Sequence, residues 1–529
     1  MALFSQAQDY SNYSSLGNRA QQLVKTYPSL VKLSSLTKTD GGKDIWMLTI
    51  GTGNAAQKPA VAVVGGVEGA HLLGVELAIG FAEELLAKSN TDSIKNLLNK
   101  QTFYVFPNLS PDATEQYFAK LKYARSGNAK PTDDDRDGKT NEDGFDDLNG
   151  DGKITMMRVE DATGEWITSS DDPRVLIKAD ITKGQKGKYL LFTEGIDNDK
   201  DGKFNEDGEG GVAFNKNMSY NYPNFEPGSG EHMVSEKENR ALLDFLFEAY
   251  NVYTVVSFGP FNNLSNPVSF NRAGVSKRII SSWYQEDVNT NETISKTYNK
   301  IVKGKNAPKT TGTPGNFAEW AYFHYGRLSL STPGWWVPQT KPDTAKKQKA
   351  FTENNDEANY LRWAEQQKIE NTFTNWTSVK HPDFPNQKVE IGGIDAFAMI
   401  NPPYKLVPPL VKEHTQFIAT LATMAPELDL VNLKTEKLEG GLTRITVDVI
   451  NKGAIPTQTK VGEKSNWLKN IQVNLTTNGQ ILSGKANQTI GAIGGYGSQT
   501  LTWLIKASGK VTIKVQSPQN GTKSLDINL

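Results

Sequence analysis

The chemistry most legible in this sequence belongs to oxygen atoms at a repeated spacing. Residues 133–144 read DDDRDGKTNEDG and residues 197–208 read DNDKDGKFNEDG, two copies of D-x-D-x-D-G-K-x-N-E-D-G. Between them residues 147–155 read DLNGDGKIT, a third loop of the same kind. In such a loop side-chain oxygens at positions 1, 3 and 5 converge on one hard cation. Glycine at 6 allows the sharp turn, and the carbonyl at 7 adds a further oxygen. The pattern nominates Asp133, Asp135, Asp137, Asn141 and Asp143, then Asp147, Asn149 and Asp151, then Asp197, Asp199, Asp201, Asn205 and Asp207 as calcium ligands. The twelfth position, where a full calcium loop carries a bidentate glutamate, is Gly144, Arg158 and Gly208 in chain order. Later acids such as Glu160 are left to complete the shells. Clustered carboxylates without a cation repel one another, so a merely solvated acidic loop is the weaker reading. The expected role is structural: calcium pins an insertion with little hydrophobic content of its own.

Composition narrows the remaining chemistry by exclusion. The 529 residues include no cysteine, and 58 basic side chains face 59 acidic ones for a formal net charge of -1. Disulfides, thiolate zinc sites and cysteine nucleophiles are excluded. Nucleic acid is not an expected partner, because a phosphate backbone calls for a basic excess or stripe. No run of eighteen apolar residues occurs, so no segment reads as transmembrane. The opening MALFSQA ends in Ser5-Gln6-Ala7, a small-x-small pattern that a signal peptidase accepts. A near-mature exported chain starting near Gln8 fits this, as does an ordinary frayed terminus.

These residues need a scaffold, and the apolar pattern supplies one. In the first part strand and helix signals alternate, the mark of an α/β layer architecture. Residues 59–67 (PAVAVVGGV) read as a buried strand broken at Gly65-Gly66, and 74–88 as an amphipathic helix. Further strands are expected at 102–109, 252–258 and 327–332. A helix over 235–250 opens with a capping box, Ser235 with Glu238. Trp320 and Tyr322 fall on a helix before the last strand, and residues 402–424 close the domain as a helix. Beyond residue 427 alternation recurs at Ile445/Val447/Val449, Ile471/Val473/Leu475, Leu501/Trp503 and Val511/Ile513/Val515. Gly and Asn clusters separate these runs, as in an antiparallel β-sandwich. The division is a tail over 1–9, an α/β domain over 10–426 with the acidic insertion at 129–210, and a sandwich over 427–529.

Several ordered blocks resemble the zinc carboxypeptidases related to carboxypeptidase A. They are GGVEGAHLLGVE at 65–76, NLSPD at 108–112, FNKN at 214–217, SFG at 257–259 and NFAEWAY at 316–322. The calcium-type loops between the second and third blocks, with the trailing β-domain, resemble a bacterial secreted branch. The resemblance runs from Tyr10 to Glu427. It implies a carboxypeptidase-like mixed eight-stranded sheet flanked by helices, with the active site over the strand ends.

The departures from that pattern decide the functional expectation. The resemblance implies His-x-x-Glu after the double glycine, supplying two zinc ligands; here the residue types change places as Glu68 and His71. The implied third ligand, a histidine, falls on Val256, which offers no donor. A catalytic zinc keeps three protein ligands plus water, so zinc is not expected. The implied general base falls on Pro333, or on Gly334 if the alignment slips by one, and neither can move a proton. Losing a positioned base costs on the order of 10² to 10⁴ in rate. The carboxylate clamp, an Asn-Arg pair in the family, reads Asn215-Lys216, which keeps the charge without the bidentate fork. Arg125 is the nearest counterpart of an arginine that polarises the scissile carbonyl, and the family's flexible tyrosine has only Thr311 at its spacing.

No catalytic residue is therefore assigned. The chain reads as a degenerate, pseudoenzyme-like member: a secreted, periplasmic or cell-surface bacterial protein that binds a peptide or protein, or partners an active paralogous peptidase. Two alternatives stay open. One is an active zinc carboxypeptidase with a rearranged metal site, for which His232, His324, His381 and His414 are the other histidines. The other is a calcium-dependent surface module paired with an active relative. Trp335 and Trp336 are expected to pack in the core, and become ligand contacts if exposed.

Overall fold

The computed structural model describes residues 9–134, 138–205, 208, 210–309, 312–342, 351, 355–465 and 467–529. Its first domain is built on a mixed sheet of six described strands. In spatial order they are Val31–Lys38, Asp44–Ile50, Thr102–Phe106, Ala60–Val64, Val252–Phe258 and Leu328–Thr332. The first two pair antiparallel with their neighbours and the last four run parallel. Ala60–Val64 and Val252–Phe258 are buried at every position, as parallel strands covered on both faces must be. Val61 and Val63 face a core shared with helices Leu72–Ala87 and Val407–Thr423. Ala60, Ala62 and Val64 face the opposite core, built with helices Lys237–Glu248 and Phe317–Phe323.

The resemblance implied eight strands, and the described sheet has six. Its outer edge shows why pairing stops there. Ser331 N donates to Asn263 Oδ1 (2.8 Å), Asn263 Nδ2 donates to Ser329 O (2.8 Å), and Leu264 N donates to Ser331 O (3.1 Å). A loop thus occupies ladder groups that another strand would need. The later strands Phe373–Val379 and Val389–Ile394 instead join Met156–Glu160, Tyr189–Thr193, Trp166–Thr168 and Leu176–Lys178 in a second sheet. The insertion is accordingly richer in apolar packing than its acidic loops suggested. Met157 and Val159 are buried against Val389 and Ile391, flanked by Leu190 and Phe192. Arg158 lies between the rings of Tyr189 and Trp376 (4.9 and 4.4 Å to their centres) and pairs with Glu390 at 2.8 Å.

The expected capping box is also corrected. The helix begins at Lys237, with Glu236 as its N-cap. The Ser235 hydroxyl donates to Glu236 Oε1 (2.6 Å), while Glu238 accepts from Asn128 Nδ2 (2.8 Å). Tertiary partners outcompete the local pairing.

The C-terminal region is two four-stranded antiparallel sheets among the described residues, packed face to face as a sandwich. Ile445, Val447, Val449, Trp503, Val511, Ile513 and Val515 are fully buried between them. Its contacts with the first domain include a buried carboxylate and an aromatic slot. Asp287 accepts from Lys460 N (2.8 Å) and Val461 N (3.2 Å), at the start of helix Lys460–Ser465, and from Tyr322 Oη (2.8 Å). Burial pushes the Asp287 carboxyl up to about 6. The Arg327 guanidinium lies 5.1 Å from the ring centres of both Tyr325 and Trp467. Truncating Asp287 would orphan these buried donors. Asp287→Ala is expected to cost about 2 kcal/mol of stability, read as a lowered urea midpoint; an unchanged midpoint would show that the docking does not depend on this cap.

Candidate functional site

Three parallel strands end together, and the loops that leave them build one cleft. After Ala60–Val64 the chain turns at Gly65-Gly66. Gly66 has φ +63°, and a Cβ there would lie 2.2 Å from Asn108 Oδ1, so only glycine permits the turn. Glu68 follows, then His71 at the N-cap of Leu72–Ala87. Leu328–Thr332 runs straight into Pro333 and the Trp335-Trp336 pair. The cleft measures about 570 Å³, and Glu68, His71, Pro333, Trp335 and Trp336 all line it. Both tryptophans are half-buried rather than packed away in the core.

His71 is closed onto Pro333. Its Nε2 lies 3.0 Å from the Pro333 carbonyl, a contact that requires the proton on Nε2. Its Nδ1 is buried and makes no hydrogen bond. Burial pushes the imidazole down to about 4, against the opposing pull of the Pro333 and Phe258 carbonyls, so the ring is neutral at physiological pH. Glu68 Oε1 accepts from Asn215 Nδ2 at 2.6 Å. Burial raises this carboxyl above its usual range, opposed by the Asn215 hydrogen bond and by Lys216.

The other positions nominated by the resemblance lie outside the cleft lining. Val256 is fully buried in the core, in register between Val63 and Leu330. Asn215 is buried and bridges, because its Oδ1 also accepts from Phe317 N (2.8 Å) at the start of Phe317–Phe323. Lys216 Nζ donates to Pro227 O at 3.2 Å. Arg125 donates from Nε to Gly127 O (3.1 Å) and from Nη2 to Asn128 O (2.6 Å), which makes it a turn-holding residue. Thr311 lies outside the described residues.

A zinc ion would need a third donor beside Glu68 and His71, and the remaining histidines are bonded elsewhere. His232 contacts Met233 O (3.0 Å), His324 contacts Ser219 Oγ (2.9 Å), and His381 contacts Gly195 O (2.8 Å). His414 bridges Tyr298 Oη (3.1 Å) and Leu410 O (2.8 Å). The donor set does not fit a catalytic zinc site. Among the described residues, only Asp197, Asp199 and Asp201 bring three acidic or histidine side chains close enough to share a metal ion.

That trio belongs to the acidic loops, whose geometry repeats. The Gly138, Gly152 and Gly202 amides donate to Asp133, Asp147 and Asp197 Oδ2 at 3.0, 2.8 and 3.0 Å. Asn141 and Asn205, equivalent in the repeat, share a left-handed backbone at φ 61° and 60°. Asp133 Oδ1 and Asp197 Oδ1 are buried without a hydrogen bond. Asp147 instead uses Oδ1 on the Gly150 and Asp151 amides, and Asn149 Oδ1 also accepts from Asp151 N. Asp143 ties the copies together, accepting from Asn198 N (2.9 Å) and Asn205 N. Asp135, Asp137 and Asp207 lie outside the described residues.

Sequence reasoning missed several contributors. Asn401 holds the turn before the long helix, donating to Ala70 O (2.8 Å) and accepting from Leu73 N (3.0 Å). Pro260, Asp356, Met399 and Ile400 complete much of the cleft wall. Their distance along the chain left no local signal. One supporting network was equally hidden: Asn128 donates to Glu236 and Glu238 at 2.8 Å each. Burial pushes Glu238 up to about 7, with Glu236 and Asp112 adding to the shift. A carboxyl raised in the fold contributes stability that is full below its unfolded value of 4.5 and lost as pH rises through about 7. Glu238→Gln is therefore expected to flatten the decline in urea midpoint between about pH 5 and about pH 8; an unaltered decline would remove Glu238 as its source.

The family described as zinc carboxypeptidase matches residues 18–404, and one described as a domain of unknown function matches residues 427–528. A zinc carboxypeptidase of Saccharothrix mutabilis subsp. capreolus is 28% identical over 109 residues, covering 20% of this chain and 25% of that protein. Carboxypeptidase D of Drosophila melanogaster is 26% identical over 111 residues, covering 20% of this chain and 8% of that protein. The chain thus spans a quarter or less of these relatives' length. Among solved structures, thrombin activatable fibrinolysis inhibitor has a TM-score of 0.44 at 11% identity, covering 78% of this chain and 74% of its own. The carboxypeptidase A from Helicoverpa armigera has a TM-score of 0.40 at 13% identity with the same coverage.

Proposed function

This chain belongs to the zinc carboxypeptidase family, and from that premise we propose that it is a non-catalytic member whose cleft binds a peptide or protein segment without cutting it. The observation that carries the reading is the His71 Nε2 contact to the Pro333 carbonyl at 3.0 Å. It joins the position implied for one zinc ligand to the position implied for the base, and neither His71 Nε2, engaged on that carbonyl, nor Pro333 is left to hold a metal ion or take a proton there. Val256, buried in the core, supports it by supplying no third donor. The expected result is sub-stoichiometric zinc by elemental analysis and no release of C-terminal residues from peptides. Stoichiometric zinc with chelator-sensitive release would overturn the reading in favour of an active, rearranged site.

The proposal includes calcium in the acidic loops, supported by the Asp197, Asp199 and Asp201 trio and the recurring bond from position-six glycine to position-one aspartate. Calcium affinity falls with fewer charged ligands, and for these loops, which lack the bidentate glutamate, we place it at the weak end of the range, about 10⁻⁴ to about 10⁻³ M. Such sites fill where calcium is abundant, which favours export to the periplasm or cell surface. No helix among the described residues is long and apolar enough to cross a membrane. A hundredfold excess of calcium over its Kd adds about 2.7 kcal/mol to stability, so calorimetry should show Tm rising with calcium and falling back with a chelator. A Tm indifferent to both would count against calcium.

A further inference from the structure

The cleft has the opposite polarity to a site that captures a terminal carboxylate. Among the described residues its lining contains two carboxylates, Glu68 and Asp356, and no lysine or arginine. The basic residues that the resemblance assigned to substrate are engaged elsewhere, Lys216 on Pro227 O and Arg125 on Gly127 O and Asn128 O. Glu68 uses Oε1 on Asn215, and no cation of the described residues pairs with it. Lys216 is close enough to be felt by the carboxylate, but its ammonium is bonded away from it.

Two aromatic walls stand beside these acids. Trp336 is fixed by its indole Nε1, which donates to Lys305 O at 2.7 Å. Trp335 packs against Trp363 with ring centres 5.5 Å apart. A carboxylate beside rigid indole faces attracts an organic cation by charge and by the ring quadrupole together. A separate pocket of about 380 Å³, which shares Trp335, Trp336, Asn306 and Gln339 with the cleft, is the one that Lys303 and Lys305 line.

We propose that the cleft recognises a lysine or arginine side chain within a peptide, its cation seated between Glu68 and the Trp335-Trp336 wall, and that it requires no free C-terminal carboxylate. This rests on the reading of the cleft as a binding site. The full-length calcium-loaded protein should be titrated calorimetrically with acetyl-Gly-Gly-Lys-Gly-Gly-amide, the same peptide as the free acid, and the amide carrying Nε-acetyllysine. The lysine amide is expected to bind about tenfold tighter than the acetyllysine peptide, and the free acid no tighter than the amide. Glu68→Gln, which can still accept from Asn215, should abolish the tenfold preference, and Asp356→Asn should weaken it, both with unchanged thermal unfolding. Equal binding of lysine and acetyllysine peptides, or a strong preference for the free acid, would overturn this ligand class while sparing the binding cleft. If none of the three peptides binds, the cleft reading falls and the proposal with it.

Discussion

The convergence of three parallel strand ends at one edge of a buried sheet is the constraint on which the cleft depends. Ala60–Val64, Val252–Phe258 and Leu328–Thr332 are held in register by their ladders and covered by apolar helices on both faces. The loops leaving them can go only outward from the same edge. The Gly65-Gly66 turn, the His71 N-cap and the Pro333–Trp336 segment are therefore brought together whatever side chains they carry. A site so built is a property of the backbone, and the residues on it are free to change chemistry without loss of fold.

That freedom explains how the cleft persists while its chemistry differs from the resemblance. Val256 adds to the core, because that position lies between Val63 and Leu330. A neutral, buried His71 costs less than a charged one, since burial penalises the cation, and the Pro333 carbonyl satisfies its Nε2. Asn215 keeps a bridging place between Glu68 and the Phe317 amide. Glu68, His71 and Asn215 are each held by a hydrogen bond within the fold.

The peripheral elements stabilise this frame by distinct means. The second sheet packs Met157 and Val159 against strands contributed from far along the chain, so insertion and scaffold share one core. The acidic loops above it are organised by backbone amides donating to carboxylates, and those carboxylates favour a cation for the same electrostatic reason that they repel one another. The sandwich is fastened through Asp287 and the Arg327 slot rather than hanging from its linker.

The sequence by itself determined the elements and much of their packing. Runs such as VYTVVSF at 252–258 and the alternation at Ile445, Val447 and Val449 were legible because burial imposes a period on neighbouring residues. The repeated aspartates and glycines were legible for a similar reason, as each loop organises itself within a dozen residues. Strand pairing at the sheet edge, the loss of the Ser235 capping box, and the engagement of Arg125 and Lys216 with nearby carbonyls were decided only in the tertiary structure. So was the cleft wall from Pro260, Asp356, Met399 and Ile400. These depend on partners brought together from distant parts of the chain, and a residue's local pattern carries no record of which distant donor, acceptor or charge will face it.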